Sequence, residues 1–184
     1  RRKLEKKIKS LGLPPEAFSR FKPWFVALSL TTSELMQMGY NPQHGVDFYF
    51  FGKAQGKGKE IGYLEAPEYQ INLLGKMAEK DQNDFLRQTL KDLEMVNELA
   101  GDLVKNWKTG NAEKLHELLH ASFEDYPGLN DRLLIQRNLK WMDKIEAAIG
   151  ESQNVLFVVG AGHLVGPESV VDLLRKAGYE VIQK

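Results

Sequence analysis

No cysteine occurs among the 184 residues. Disulfides, thiolate metal sites and a cysteine nucleophile are therefore excluded. The compartment stays open, since a cysteine-free chain suits either redox setting. Excess charge is also absent: 25 Lys and Arg balance 25 Asp and Glu. A balanced chain has no general cationic surface for phosphate, which argues against a nucleic-acid partner. Long apolar runs are missing too. The best, Trp24 to Leu30, falls far short of the roughly 18–20 residues of a membrane helix. The basic start, Arg1-Arg2-Lys3-Leu4-Glu5-Lys6-Lys7, is not followed by the apolar stretch of a signal peptide. Internal repeats and low-complexity segments are lacking.

Hydrophobic residues make up 42%, enough for a core and too many for global disorder. The length suits one domain. The charged, helix-like opening leaves two readings. It is an ordinary amphipathic first helix, or the chain is the C-terminal part of a longer domain.

Helices are expected over 1–11, 15–21, Trp24 to Met38 and Val46 to Ala54, with Pro and Gly as punctuation. Others are expected from Pro67 to about Met77, over Gln82 to Trp107 as one helix or a pair, over Ala112 to Phe123, and from Leu129 to Ile149. The short apolar runs Ile61 to Leu64, Val155 to Val159 and Tyr179 to Ile182 read as strands. The last two, with a helix ending at Ala177, form one β-loop-α-β unit with a right-handed crossover. The expected class is thus helix-rich α/β (α+β), a small, mainly parallel sheet flanked by many helices. Three strands make an incomplete sheet, which favours the longer-domain reading.

Four constellations carry chemistry. The loop Gly160-Ala161-Gly162-His163-Leu164-Val165-Gly166 follows the strongest strand, where open α/β sheets bind ligands. Its His163 suits a metal ligand, a general base or an anion contact, against a His that merely caps a turn. The glycine spacing is not a dinucleotide fingerprint, and no acidic residue follows at the ribose distance.

His116-Glu117-Leu118-Leu119-His120 satisfies the H-E-x-x-H zinc string on a helix. Yet Leu115, Leu118, Leu119 and Ser122 define the inward face, turning both histidines toward the polar side. No third ligand is evident, so the bland alternative is two solvated histidines beside Glu113 and Lys114.

Glu65 stands at the end of a short apolar run, with Glu68 and Gln70 close behind. It suits metal binding or acid-base work, or it caps the helix that opens at Pro67. Arg137, next to Asn138, lies on an apolar face between Leu134 and Trp141. A partly buried Arg needs a carboxylate or an anionic ligand. Glu65, Glu68 and Asp47 are the candidate internal partners.

The run Phe157 to Gly166, followed by Val171-Asp172-Leu173-Leu174-Arg175 and Gly178-Tyr179-Glu180-Val181, resembles the C-terminal motif of the TraB/PrgY/GumN/Tiki family. The likeness continues in Arg137-Asn138 with Trp141-Met142, in Gly45-Val46-Asp47, Ala54 and Gly58-Lys59, in Leu64-Glu65 through Glu68 and Gln70, and in Pro23-Trp24. Order and spacing agree from about residue 10 to the C-terminus.

The resemblance implies a fold like erythromycin esterase and the haem-binding ChaN proteins. It implies a metal-dependent hydrolase, or a peptidase as in Tiki proteins, using a divalent metal ion of unspecified identity. His163 would be a metal ligand, Glu65 a ligand or general base, and Arg137 with Asn138 the stabiliser of an oxyanion or substrate carboxylate. Gly160, Gly162, Gly166, Asp47, Glu68 and Gln70 would line the pocket. The family pairs two G-x-x-H boxes, whereas this chain has one. The resemblance therefore covers the C-terminal portion of the family domain, without the N-terminal strands and the first box. Ala66 replaces the usual Thr or Ser.

The H-E-x-x-H string falls in the family's variable stretch, leaving His116 and His120 as an alternative metal pair. A non-catalytic module holding a peptide or porphyrin is the other reading of the same pocket. The substrate, peptide or small molecule, is unspecified, and homo-oligomerisation is left open. Family members often carry export signals, so an extracytoplasmic (periplasmic or secreted) home is an expectation of the resemblance alone.

Overall fold

The computed structural model describes residues 2–121 and 123–184. Arg1, of the basic opening, and Ser122, placed on an inward helix face by periodicity, lie outside the described residues. The helices are α1 (Arg2–Ser10), α2 (Pro23–Gln37), α3 (Val46–Gly56), α4 (Pro67–Gly75), α5 (Glu79–Asp92), α6 (Val96–Lys108), α7 (Ala112–Ala121), α8 (Pro127–Asn130), α9 (Gln136–Ile149) and α10 (Val170–Lys176). Proline opens α2, α4 and α8, where its missing N–H costs nothing. The Gln82–Trp107 stretch resolves into a pair, α5 and α6. A π-helical turn over Asp131–Ile135 joins α8 to α9, so the expected Leu129–Ile149 helix is nearly continuous.

The expected parallel sheet is not there. Among the described residues no strand forms, and 61–64, 155–159 and 179–182 pair in no ladder. The chain is helical, not α/β, and the β-loop-α-β unit with its crossover falls with the sheet. The error has a physical source. A continuous apolar run reports burial, whereas a strand also needs a second backbone about 4.8 Å away to take its hydrogen bonds. Here Leu64, Phe157 and Val159 find their burial against helices instead, packing on Trp141, Ile145 and Val170.

Two cores result. The first joins Ile8 and Leu11 of the α1 region to Val26 and Leu30 of α2, with Leu93 just past α5 and Val96 at the start of α6. Lys7 and Glu34 close its edge with an ion pair of 2.7 Å. The second centres on α9 and α10, through Trp141, Ile145 and Val170.

Much of the rest stays open. The chain exposes 12690 Å², against about 9,000 Å² for a compact monomer of its 20.9 kDa mass. Helix α3 buries none of its residues, and Phe48, Tyr49, Phe50 and Phe51 are all exposed on it.

Leu30 is fully buried in the first core. Leu30→Ala is expected to cost about 2–5 kcal/mol of unfolding free energy by transfer and cavity terms together, measured by denaturant titration.

Candidate functional site

The site is built on one helix. Within α9, Arg137, Asn138 and Trp141 occupy successive positions of the same inward side, and each takes a different partner. Arg137 and Trp141 meet at i and i+4, with the guanidinium 5.0 Å from the indole centroid.

Arg137 is paired with Glu65, which lies just before α4. Its Nη2 donates to Oε1 at 2.6 Å, and its Nε donates to both carboxylate oxygens at 3.0 and 3.2 Å. Its Nη1 donates to the Leu133 carbonyl at 3.0 Å. Gln70 Nε2 adds a bond to Glu65 Oε1 at 2.8 Å, and Trp141 Nε1 adds one to Oε2 at 3.2 Å. Burial pushes the Glu65 carboxyl upward. The Arg137 guanidinium, helped by Gln70 and Trp141, outweighs it and holds the group below its ordinary value. Glu65 is thus an ionised carboxylate with both oxygens committed. It does not cap α4, whose N-cap is Ala66 with no side-chain bond.

His163 ends the 3₁₀ turn Ala161–His163, whose N-cap is Gly160. The imidazole is buried and lies 4.4 Å, centroid to centroid, from the Trp141 ring. Its Nδ1 is 2.6 Å from Asn138 Oδ1, while Asn138 Nδ2 donates to the Glu168 carbonyl at 2.8 Å. These two bonds decide the tautomer. The Glu168 carbonyl only accepts, so the amide must offer it the NH₂ and turn its oxygen to His163. Nδ1 must then carry the proton, and the Nε2 lone pair stays available. Burial lowers the imidazole pKa to about 4, helped by the Arg137 charge and opposed by Glu65.

Other expected residues fall differently. Gln70 joins the cluster. Asp47 and Glu68, in the first turns of α3 and α4, are exposed and do not pair with Arg137. A side chain at Gly162 would touch Leu119 and Leu134 at ordinary contact distance. Gly166 has φ +81, and an added Cβ would collide with the His116 ring. His116 is consequently half-buried against the G-x-x-H loop, while His120 is exposed. Glu117 pairs instead with Lys114 at 2.6 Å on the exposed side.

Sequence reasoning missed two participants. Trp141 served only to mark the apolar face and the family resemblance, although a buried indole N–H calls for an acceptor. Glu168 has φ +58, unusual for a residue other than glycine. Its carbonyl anchors Asn138, and its N–H donates to Asp172 at 2.8 Å. Nothing in Gly166-Pro167-Glu168 announces this.

The donor set falls short of a complete metal site. A catalytic zinc takes about three protein ligands. His163 Nε2 is one fit donor, and Glu65 is committed to Arg137, Gln70 and Trp141. Among the described residues no three His, Asp or Glu side chains gather as a metal group. These residues therefore do not hold a metal by themselves.

Two outcomes are expected. In the metal-free protein, the His163 ring resonances should titrate near pH 4 by NMR, with the Nδ1–H tautomer above that. Because the folded pKa is depressed, the unfolded chain binds more protons between about 6.5 and 4. Stability should be full above about pH 6.5 and fall by up to about 3 kcal/mol as pH drops to 4, seen in pH-dependent denaturation. Separately, Arg137→Ala strands the Glu65 carboxylate and should destabilise by about 2–4 kcal/mol in denaturant titrations, with Arg137→Lys only partly restoring it.

The sequence model described as the TraB/PrgY/gumN family matches residues 1–183. An uncharacterised protein of Escherichia coli, YbaP, is 27% identical over 165 residues, covering 90% of this chain and 61% of its own length. Metalloprotease TIKI2 of Danio rerio is 27% identical over 194 residues, covering 89% of this chain and 37% of its own. An uncharacterised Treponema pallidum protein is 25% identical over 189 residues, at 96% and 56%. The chain thus spans between about a third and three fifths of the length of these relatives. No solved structure matches. Residues 1–183 place the chain in the TraB/PrgY/gumN family.

Proposed function

We propose that this chain supplies the His163 arm of a metal-dependent hydrolase or peptidase site. The observation that carries the reading is the Asn138–His163 pair. It holds a buried imidazole neutral at physiological pH, with Nε2 unprotonated and free of bonds to the described residues. That is the state of a metal-ligating histidine whose other nitrogen is fixed by an outer partner. A free base with a pKa near 4 would be weakly basic at neutral pH, which favours the ligand role over the general base. The likeness to proteins named metalloproteases supports the same reading. When bound, a divalent ion would supply Lewis acidity and a nucleophilic water.

The chain's own residues would do the rest. Arg137 spends three of its five N–H groups on Glu65 and Leu133, leaving two for a substrate oxygen or carboxylate. Glu65, fully committed, orients Arg137 rather than taking a proton. The remaining metal donors would lie outside the Glu65–His163 cluster, and the extracytoplasmic setting implied by the family goes with this proposal. No helix of the described residues is long and apolar enough to cross a membrane.

The commitment of Glu65 favours one other reading, a pocket that binds a peptide or small ligand without turnover. Metal analysis and a peptidase screen on the protein and its His163→Ala variant separate the two. The expected result is loss of the one metal equivalent held at His163 and at least a hundredfold loss of activity, the scale of one ligand or electrostatic group. Unchanged metal and activity would remove the hydrolase reading. A ligand that co-purifies without being consumed would support the binding module.

A further inference from the structure

The H-E-x-x-H string does not act as a zinc-protease motif here. Its Glu117 is drawn to Lys114 on the exposed side and cannot serve a water held by the histidines. The two histidines are nonetheless brought together. Their rings, one helical turn apart on α7, stack at 5.4 Å between centroids and 24° between planes. Both line a pocket of about 30 Å³ whose other polar lining residues are Asn130, Asn138 and Ser169. That volume holds about two waters. The sequence pattern turns both side chains toward solvent; the fold keeps His120 exposed but sets the G-x-x-H loop against His116.

We propose that His116 and His120 form a two-imidazole site for a divalent transition metal, distinct from His163. The two rings have unequal tasks. His116 is held in place by the left-handed corner at Gly166, the one residue type whose bare Cα leaves room for the ring. His120 is exposed, so its ring has space to turn. Two metal–nitrogen bonds of about 2.0–2.1 Å bring ligand nitrogens to within about 3.3 Å of each other. That convergence asks His120, rather than His116, to move. The Asn138 oxygen is taken by His163, so Asn130, which also lines the pocket, is the potential oxygen ligand. Imidazole donors select zinc, nickel or copper over magnesium and calcium. Asn138 lines this pocket and also binds His163, so an ion there sits one side chain away from the candidate site.

The test is calorimetric titration of the metal-stripped protein with Zn²⁺ at pH 7.5, repeated on four variants that retain the parent helical circular-dichroism spectrum. His116→Ala and His120→Ala should each weaken binding at least tenfold. Gly166→Ala keeps both imidazoles but evicts His116 from its seat, and it should weaken binding as well. His163→Ala should retain the binding that His116→Ala and His120→Ala weaken. Wild-type affinity in both His116→Ala and His120→Ala would overturn the proposal, as would the absence of Zn²⁺ binding by the parent protein. Loss of binding in His163→Ala alone would also overturn it while leaving the hydrolase reading standing. Retained Zn²⁺ binding with unchanged activity in His163→Ala would do the reverse.

Discussion

The Arg137–Glu65 ion pair joins α9 to the start of α4, and the candidate site is arranged around it. A guanidinium on the apolar side of a helix cannot be left unpaired, and this one meets a carboxylate 72 residues earlier in the chain. The same carboxylate draws in the Trp141 indole, which forms one wall beside His163. Its negative charge also offsets part of the effect of Arg137 on the imidazole. Removing either partner leaves a buried charge, and removing Glu65 also takes the acceptor from Trp141, so the pair supports packing and electrostatics together.

Next to Arg137 on α9, Asn138 performs a second joining task. It ties the G-x-x-H loop to the approach to α10, through His163 on one side and the Glu168 carbonyl on the other. Because a backbone carbonyl can only accept, this geometry sets the direction of every proton in the relay. The unusual backbone at Glu168 is sustained from the other side by Asp172, whose carboxylate accepts its N–H. Strain at one residue and tautomer choice at another are thus parts of one network.

The large exposed surface bears on how far the chain stands by itself. The first core is a conventional helix packing of α1, α2, α5 and the start of α6. The second is smaller, and it leaves Leu156 and Ile182 outside, each about two-thirds exposed. The site is attached to this less covered part. Its rigidity consequently rests more on hydrogen bonds and the ion pair than on apolar enclosure.

Several features were legible in the residues alone. Periodicity and proline placed most of the helices, because both are local: a side-chain period of 3.6 and a missing N–H need no distant partner. The position of Arg137 on an apolar face announced that a carboxylate or an anionic ligand must meet it, and the G-x-x-H box marked His163. Other features required the tertiary structure. Whether 155–159 forms a strand depends on a neighbouring backbone, which no run of apolar residues specifies. Which acid pairs with Arg137 was left among Glu65, Glu68 and Asp47 until the fold chose the first. The orientation of His116 depends on Gly166, fifty positions away, and the His163 tautomer on a carbonyl at Glu168. The sequence determined the helices and the residue types of the site by itself; the pairings between distant segments belong to the tertiary structure, because they are contacts rather than patterns.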